Sequence, residues 1–263
     1  MPNLVLSVNG GSSCDSVSYI VSVTYTDQVG QQTSETYEAD NQAGDQTVTV
    51  SWSGRLVGGN ATVSWQLNGA SQNSTLGFFI NATNPPNNAV DAYASSGPWF
   101  VLNLIAWESR AWSLSPTGQY KQFDAFGNPL WGTPDGIGLM QLEPPARASL
   151  DQDYWSWPAN VADGLNWLIN TKQAPAYNSW NNEFAQMQTV TGANPVYPDE
   201  TDYKWCDFAY PPNGKDEFKD GDWIHFYNGN YFVFFHPADA GGPNRWDIDT
   251  NGYVSQVCNA DPL

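Results

Sequence analysis

The hydrophobic pattern of this 263-residue chain changes its period near residue 88, and that change limits the folds that the chain can adopt. Before this point, apolar residues alternate with polar ones over residues 17–25, 48–52 and 63–67. Alternation of this kind places one set of side chains on a single face of a β-strand, and turn residues separate the segments. Residues 1–88 are therefore predicted to form an all-β, immunoglobulin-like sandwich, a fold that by itself names no function.

Residues 81–96 are rich in Asn, Pro, Ser and Gly, which interrupt strands and favour turns. This composition predicts the domain boundary at residue 88. Pro98 then suits the first turn of a helix, because an N–H at that position would have no partner within the helix. The apolar run over residues 99–107 follows, and a helix that is apolar on nearly all sides is expected to be buried.

The remainder of the chain, residues 89–263, is predicted to form an α-rich second domain. Residues 161–168 carry apolar side chains at helical spacing, and Asn160 is placed as the cap of that helix. Residues 172–222 contain many Pro, Gly and Asp and show little periodicity. They are expected to be mostly irregular, with one short helix around residues 182–188.

Composition excludes several classes of protein and partner. Hydrophobic residues make up 41% of the chain and aromatic residues 14%, so the chain has enough apolar surface to fold. Nine Lys and Arg residues face 27 Asp and Glu residues, a net charge of -18. Because phosphate contacts need clustered basic side chains, no nucleic-acid partner is expected. No apolar run approaches the roughly 20 residues that cross a bilayer, so no membrane span is expected.

The three cysteines, Cys14, Cys206 and Cys258, allow one disulfide at most. A bridge between Cys206 and Cys258 would restrict the unfolded chain by about 4 kcal/mol in the loop-entropy model and would leave Cys14 unpaired. No signal peptide is visible, so export cannot be read from the N-terminus. The scarcity of Lys and the abundance of Asn, Ser, Thr, Gly and Trp nevertheless favour an extracytoplasmic protein, whether secreted, periplasmic or at the cell surface.

Glu108 stands at the end of the apolar run, between Trp107 and Trp112, and Ser109 follows it. A carboxyl group in such surroundings is partly desolvated. Desolvation is expected to raise its pKa and to let it hold a proton near neutral pH, as a general acid must. Taken alone, Glu108 is better explained as the solvent-facing end of a helix, so a catalytic assignment depends on further motifs.

Three further segments follow Glu108-Ser109 along the chain. They are Gly136-Ile-Gly-Leu-Met-Gln-Leu142, Asn160-Val161-x-x-Gly164-x-x-Trp167-Leu168 and His225-Phe-Tyr-Asn-Gly229. In order and residue type these segments resemble the lysozyme-like (SLT-like) domain of lytic transglycosylases and goose-type lysozymes. In that family a Glu-Ser helix precedes Gly-Leu-Met-Gln, an Asn-Ile-x-x-Gly-x-x-Tyr-Leu helix and an Ala-Tyr-Asn-Gly element. The resemblance covers residues 95–258, although the intervals 109–138 and 172–222 look longer than the family usually has.

The resemblance implies a role for each matching residue. Glu108 would be the single catalytic acid and base that cleaves the β-1,4 bond between N-acetylmuramic acid and N-acetylglucosamine. The muramic acid 6-hydroxyl would attack internally and form a 1,6-anhydro product, so no second carboxylate is required, in contrast to most glycosidases. Tyr227 would orient Glu108; the alternative Tyr-Asn pair at Tyr177 lies too soon after the Gly164 helix. The residues expected to bind the sugar are Ser109, Gly138, Met140, Gln141, Tyr227 and Asn228.

Individual residues of these motifs suit the roles for specific reasons. The amide of Gln141 can both donate and accept hydrogen bonds, and Gly138 would let its turn approach the sugar closely. Met140 lines either the cleft or the core. Asp124 and Asp135 lie in the longer interval and could position a water, as a hydrolase would need. With 27 acidic residues in the chain, chance placement is the better explanation of these two.

No metal site and no cofactor are expected. His225 and His236 are the only histidines, and neither has a cysteine or a second histidine at ligand spacing. The segment that contains Asp247, Asp249 and Asn251 looks like a calcium loop but lacks the distant Glu of an EF-hand.

The motifs leave three functions open. The first is a peptidoglycan-cleaving enzyme with an accessory β-sandwich, which the intact Glu108 favours. The second is a catalytically weak glycan-binding or structural module of a cell-surface or phage-tail assembly. The third is a chitin or chitosan hydrolase on the same fold, since cationic chitosan would suit an acidic cleft. The charge of -18 counts mildly against an anionic cell wall, although salt screens charges beyond about 10 Å.

Overall fold

The structure is a computed structural model and describes residues 4–7, 16–26, 32–43, 47–52, 58–68, 70–71, 75–111, 118–132, 135–143, 146, 150–194, 196, 216–229, 233–239, 242–248 and 252–260. The chain divides into two compact units. The first comprises Met1–Pro85 and Lys121–Asn160, and the second comprises Pro86–Tyr120 and Val161–Leu263. This division differs from the predicted single boundary at residue 88, because the segment Lys121–Asn160 belongs with the N-terminal strands.

Seven strands lie in the described part of the first unit. They are β1 Val5–Ser7, β2 Ser16–Thr26, β3 Gln32–Ala43, β4 Thr47–Thr49, β5 Gly59–Leu67, β6 Ala70–Ser71 and β7 Leu76–Ile80. A five-stranded sheet has the order β3-β2-β5-β6, with β7 also paired to β5, and β1 pairs with β4. Each of these pairings is antiparallel.

The alternation in the sequence explains the core of this unit. In β2, Val17, Tyr19, Val21 and Val23 are buried, and the residues between them are partly exposed. These side chains share one core with Leu6, Tyr37, Val50, Ala61, Val63 and Ile80, so β1 and the chain after β4 contribute to the same core as the five-stranded sheet. The immunoglobulin-like topology stays a prediction.

The segment Lys121–Asn160 packs closely on the strands of its own unit. The ring of Tyr25 meets that of Trp155, at the end of α3 (Leu150–Trp155), edge to face with centroids 5.0 Å apart. A Cβ at Gly58 would lie 2.2 Å from a ring carbon of Trp155, so only glycine leaves room for this ring. Asn84, after β7, donates from Nδ2 to the carbonyl of Phe123 at 2.9 Å and accepts its N–H at 2.8 Å. Aromatic packing and hydrogen bonds between the Asn84 side chain and the Phe123 backbone thus join the segment to the rest of its unit.

The second unit is mainly helical. Its elements are α1 Asn87–Ala94, α2 Val101–Ala111, most of α4 Trp157–Asn166, a π-helical segment Trp167–Lys172, α5 Gln173–Thr191, α6 Asp216–Asn228, the strands β8 Val233–His236 and β9 Arg245–Ile248, and α7 Tyr253–Cys258. β8 and β9 form an antiparallel pair. Within the described ranges, no helix has both the length and the hydropathy that a membrane crossing requires.

The expected helix after Pro98 is present, with different bounds. The N–H of Val101 donates to the carbonyl of Pro98 at 2.9 Å, and α2 then continues to Ala111. Glu108 therefore lies in the last turn of α2. Asn160, placed as a helix cap in the sequence interpretation, lies inside α4 instead and is fully buried.

The prediction that residues 172–222 are mostly irregular is wrong for α5. This helix has 19 residues, and its buried residues are only Ala176, Ser179, Trp180 and Met187. Such a narrow apolar stripe produces weak periodicity, so the sequence did not indicate a long helix. Trp180 stacks on Trp246 of β9 with ring centroids 5.4 Å apart, which gives α5 its tertiary support.

The π-helical segment has an identifiable partner in α6. A wider helical turn loosens the regular backbone pairing and leaves carbonyls to be satisfied by other groups. The indole N–H of Trp223 donates to the carbonyl of Leu168 at 2.8 Å. The ring of Trp223 also meets Phe100 edge to face at 5.1 Å. This tryptophan therefore connects the π-helical segment to the start of α2.

Candidate active site

Glu108 is held by a tyrosine from the end of the chain. The buried side chains of α2 include Leu104, Ile105 and Ala106, and Glu108 is partly buried one turn later. The hydroxyl of Tyr253, the first residue of α7, donates to Glu108 Oε1 at 2.5 Å. Glu108 is therefore fixed in position by a residue 145 positions away.

Tyr227, in the last turn of α6, is close enough to Glu108 to feel its charge. Burial raises the pKa of Tyr227 well above 10.0, and the negative charge of Glu108 raises it further. Burial raises the pKa of Tyr253 in the same way, followed by the charge of Glu108 and by the hydrogen bond between them. Both phenols therefore stay neutral at physiological pH, and Tyr253 keeps the proton that it donates.

A direct hydrogen bond to Glu108 comes from Tyr253, a residue that the sequence did not single out. The orienting role expected for Tyr227 stays a prediction. A local signal for burial existed: Tyr253, Val254, Val257 and Cys258 have helical spacing, and all four are buried. That spacing could have placed Tyr253 in a core, but it contains no information about which carboxylate the hydroxyl meets.

The short helix α7 is attached to α2 through Asn103. The Asn103 side chain is buried, and its Nδ2 donates to the carbonyl of Ala260 at 2.7 Å and to that of Cys258 at 3.4 Å. These carbonyls lie at and just beyond the C-terminus of α7, where the helix provides no partners of its own. Cys258 is also disulfide-bonded. Cys206, its predicted partner, lies outside the described residues.

The remaining predicted site residues of the second unit differ in accessibility. Ser109 is buried, with 1% of its surface exposed, so in this structure its side chain faces protein rather than solvent. Asn228 is exposed at the last position of α6, followed by Gly229. His225 is buried, and its ring meets that of Tyr253 edge to face with centroids 6.5 Å apart.

The turn that contains Gly138 belongs to the first unit and is organised by Asn160. Asn160 Oδ1 accepts the N–H of Met140 at 3.0 Å, and Nδ2 donates to the carbonyl of Ile137 at 2.9 Å. Gly138 has a φ of +71°, and a Cβ there would lie 2.2 Å from Asn160 Nδ2. The close approach that glycine permits is therefore to the Asn160 side chain, whereas the sequence interpretation assigned it to a sugar.

The neighbours of Gly138 in this turn are also used internally. Gln141 adopts a φ of +47°, rare for a residue with a side chain, and its Nε2 donates to the carbonyl of Gly138 at 2.8 Å. Met140 has 0% of its surface exposed. Met140 therefore lies in the core, which is one of the two locations expected for it. The assignment of Met140 as a sugar contact is corrected. A sugar-binding role for Gln141 stays a prediction.

Asp124 shapes its own loop. Its Oδ1 accepts the N–H groups of Phe126 at 2.8 Å and Asn128 at 2.9 Å, and its Oδ2 accepts from the Asn128 side chain at 3.1 Å. Burial alone would raise the pKa of Asp124, but the hydrogen bonds from Asn128, Phe126 and Gly127 outweigh it and lower the pKa. These contacts give Asp124 a structural role, so it is a poor choice for positioning a water.

Asp247 contacts two basic side chains of the β8–β9 hairpin. It lies 2.9 Å from His236 Nε2 and 3.5 Å from Arg245 Nε. Asp249 and Asn251, the other residues of the calcium-like segment, lie outside the described residues. Within the part of the chain that the structure describes, no group of three His, Cys, Asp or Glu side chains could hold a metal ion.

Of the predicted site residues, Glu108, Ser109, Tyr227 and Asn228 belong to the second unit, and Gly138, Met140 and Gln141 belong to the first. Comparisons of the chain with models of protein families, with curated proteins and with solved structures found no match. Membership of the lysozyme-like superfamily stays a prediction from the motifs. A function has to be inferred from those motifs and from the arrangement of Glu108, Tyr253 and Tyr227.

Proposed function

We propose that this protein is a lytic transglycosylase that cleaves the β-1,4 bond between N-acetylmuramic acid and N-acetylglucosamine in peptidoglycan, with Glu108 as its single acid and base. The observation that carries the proposal is the hydrogen bond from Tyr253 to Glu108 beside a second neutral tyrosine. A carboxyl group that transfers a proton twice has to keep one position through both transfers. The donor Tyr253 and the buried helix α2 supply that restraint.

The reaction needs no second carboxylate. Glu108 in its protonated form gives its proton to the glycosidic oxygen, and the bond between that oxygen and C1 of the muramic acid breaks. The Glu108 carboxylate then takes the proton of the muramic acid 6-hydroxyl, whose oxygen forms a bond to C1. The products are a 1,6-anhydro sugar and a chain with a free 4-hydroxyl, and Glu108 is protonated again.

The two tyrosines support this cycle without exchanging protons themselves. Burial and the charge of Glu108 keep both phenols neutral. Tyr253 therefore remains a donor to Glu108 Oε1 when the carboxylate is charged, and it acts as a positioning residue. Tyr227 adds a second neutral side chain beside the carboxylate.

The disulfide at Cys258 supports an extracytoplasmic location, where peptidoglycan is found. Disulfides persist in oxidising compartments and are rare in the cytosol. The bridge also fixes the C-terminal end of α7, the helix that carries Tyr253.

Mass spectrometry of purified peptidoglycan incubated with the full chain tests the proposal. Fragments with 1,6-anhydro ends are expected, whereas new reducing ends would identify a hydrolase and absence of release would identify a binding module. Replacing Glu108 with Gln should reduce release by roughly 100-fold to 10,000-fold, the usual range for a general acid. Chitin and chitosan, tested in parallel, identify the alternative substrates.

The matched control is Glu183→Gln. Glu183 is also partly buried in the second unit, where its Oε2 accepts the N–H of Phe235 at 2.9 Å, and an amide oxygen can accept the same bond. This variant should release fragments at the rate of the unmodified protein. Full activity of Glu108→Gln would contradict the proposed acid and base.

A further inference from the structure

The outer face of the five-stranded sheet carries two rows of side chains that cross four strands. The first row is Ser34, Thr24, Asn60 and Phe79, and the second is Thr36, Ser22, Thr62 and Gly77. We refer to these eight residues as the outer rows. Their neighbours along β2 and β5, such as Val21, Val23, Ala61 and Val63, point into the core, so the outer rows occupy the opposite face.

The outer rows are accessible. Ser34, Thr36, Asn60, Thr62, Gly77 and Phe79 are exposed, and Ser22 and Thr24 are partly exposed. With strands about 4.8 Å apart and rows about 7 Å apart, the surface measures roughly 14 Å by 7 Å. That is large enough for a few consecutive sugar rings.

The outer rows contain no charged residue, in a chain with 36 charged residues and a net charge of -18. Six of the eight side chains are small hydroxyls or an amide, which both donate and accept hydrogen bonds, as sugar hydroxyls do. A charged ligand would find no counter-charge here, whereas an uncharged ligand loses no ion hydration on contact. The charge pattern therefore fits a neutral polyhydroxylated ligand.

Phe79 adds an apolar platform at the edge of this surface. It is 41% exposed, on the edge strand of the described sheet. Gly77, two residues earlier on the same face, leaves the surface beside it open, since a Cβ there would meet only a backbone oxygen at 4.0 Å. An aromatic ring next to hydroxyl groups matches a pyranose, which has an apolar C–H face and polar edges.

We propose that the outer rows bind an uncharged stretch of a polysaccharide chain, with the ring of Phe79 against a sugar face. This inference rests on the proposed function for the choice of peptidoglycan as a ligand, but it concerns a separate site in the first unit. The site would hold the protein on an insoluble glycan while Glu108 acts on it.

Sedimentation with insoluble peptidoglycan, and separately with insoluble chitin, tests this site in the full chain carrying Glu108→Gln. Phe79→Ala is expected to weaken binding about tenfold, and Asn60→Ala combined with Thr62→Ala should weaken it by a similar factor. The control is Leu76→Ala, because Leu76 is exposed on the same strand but its position in the alternation belongs to the other face. Cleavage of soluble glycan fragments, measured in the otherwise unmodified protein, should be unchanged by all of these substitutions.

Several outcomes would overturn the inference: no sedimentation of the parent protein with either glycan, unchanged binding of the outer-row variants, or equal weakening by Leu76→Ala. If Phe79→Ala does not fold, the double variant Asn60→Ala/Thr62→Ala tests the outer rows by itself, because these two substitutions alter only exposed polar side chains. Binding to chitin but not to peptidoglycan would support the outer rows and contradict the proposed substrate. Loss of binding with intact cleavage of soluble fragments would support both proposals.

Discussion

The turn that contains Gly138 and the cluster formed by Glu108, Tyr253 and Tyr227 hold their polar groups in different ways. In the turn, one side chain, that of Asn160, bonds to backbone groups 20 and 23 residues away. In the cluster, the partner of Glu108 is a side chain 145 residues away on another helix. The turn therefore depends on close steric fit around a glycine, whereas the cluster depends on how three helices pack. We expect substitutions in the turn to change stability first, and substitutions in the cluster to change chemistry first.

The largest expected effect on stability is that of Gly138→Ala. The new Cβ would occupy the place of Asn160 Nδ2, and the positive φ disfavours any side chain. Left-handed strain and the loss of buried hydrogen bonds together should lower the free energy of unfolding by about 4 kcal/mol. Gly192→Ala is the control for the steric conflict, since Gly192 has a φ of +58° and a ψ of -121°, a conformation that disfavours side chains, but no atom near its Cβ position; it should cost about 2 kcal/mol. If urea unfolding shows equal losses of stability for the two variants, the close fit between Gly138 and the Asn160 side chain is contradicted.

Asn160→Ala is expected to cost about 3 kcal/mol, because the buried N–H of Met140 and carbonyl of Ile137 lose their partner. Asn170→Ala, which removes an exposed side-chain bond to Asn166, should change stability by less than about 0.5 kcal/mol. The double variant of Gly138 and Asn160 provides a further check. Without the Asn160 amide, Gly138→Ala should cost only the backbone strain, so the two effects should not add.

Tyr253→Phe is expected to reduce cleavage about tenfold, mainly through kcat, because Glu108 loses the bond that orients it. Its effect on stability should be about 2 kcal/mol. Tyr120→Phe removes a similar bond, from a buried tyrosine to the carboxylate of Asp91 at 3.1 Å, in the same unit but outside the cluster. A comparable loss of stability with no loss of cleavage is expected for this control. An equal loss of cleavage in both variants would contradict the role of Tyr253 in positioning Glu108.

The smallest expected effect concerns alkaline pH. The pKa of Tyr253 is raised in the folded protein, so above the unfolded value of 10.0 only the unfolded chain loses this proton. Its contribution to stability is therefore complete below about pH 10 and falls by about 1.4 kcal/mol per pH unit above it. Urea unfolding between about pH 9 and about pH 11 should show a shallower loss for Tyr253→Phe than for the unmodified chain. Parallel curves would show that Tyr253 is not buried in its neutral form.

Local patterns predicted the elements in which a whole face is buried. The alternation along β2 placed Val17, Tyr19, Val21 and Val23 in a core, and the apolar run after Pro98 predicted α2. The same reasoning failed for α5, whose stripe of buried residues is too narrow to produce a clear period. It also did not indicate that Lys121–Asn160 groups with the N-terminal strands, because Trp155 packs against Tyr25 and Gly58, which precede it by 130 and 97 residues.

The sequence by itself determined the strands β2 and β5, the buried helix α2 and the carboxyl group in its last turn, because each of these properties depends on neighbours within a few residues. Only the tertiary structure decided that Tyr253 binds Glu108, that Asn160 requires a glycine at position 138, and that Met140 is in a core. Hydrogen bonds and steric contacts act over a few ångströms in space. Their partners lie from 20 to 145 positions apart along the chain, beyond the range of any periodic pattern.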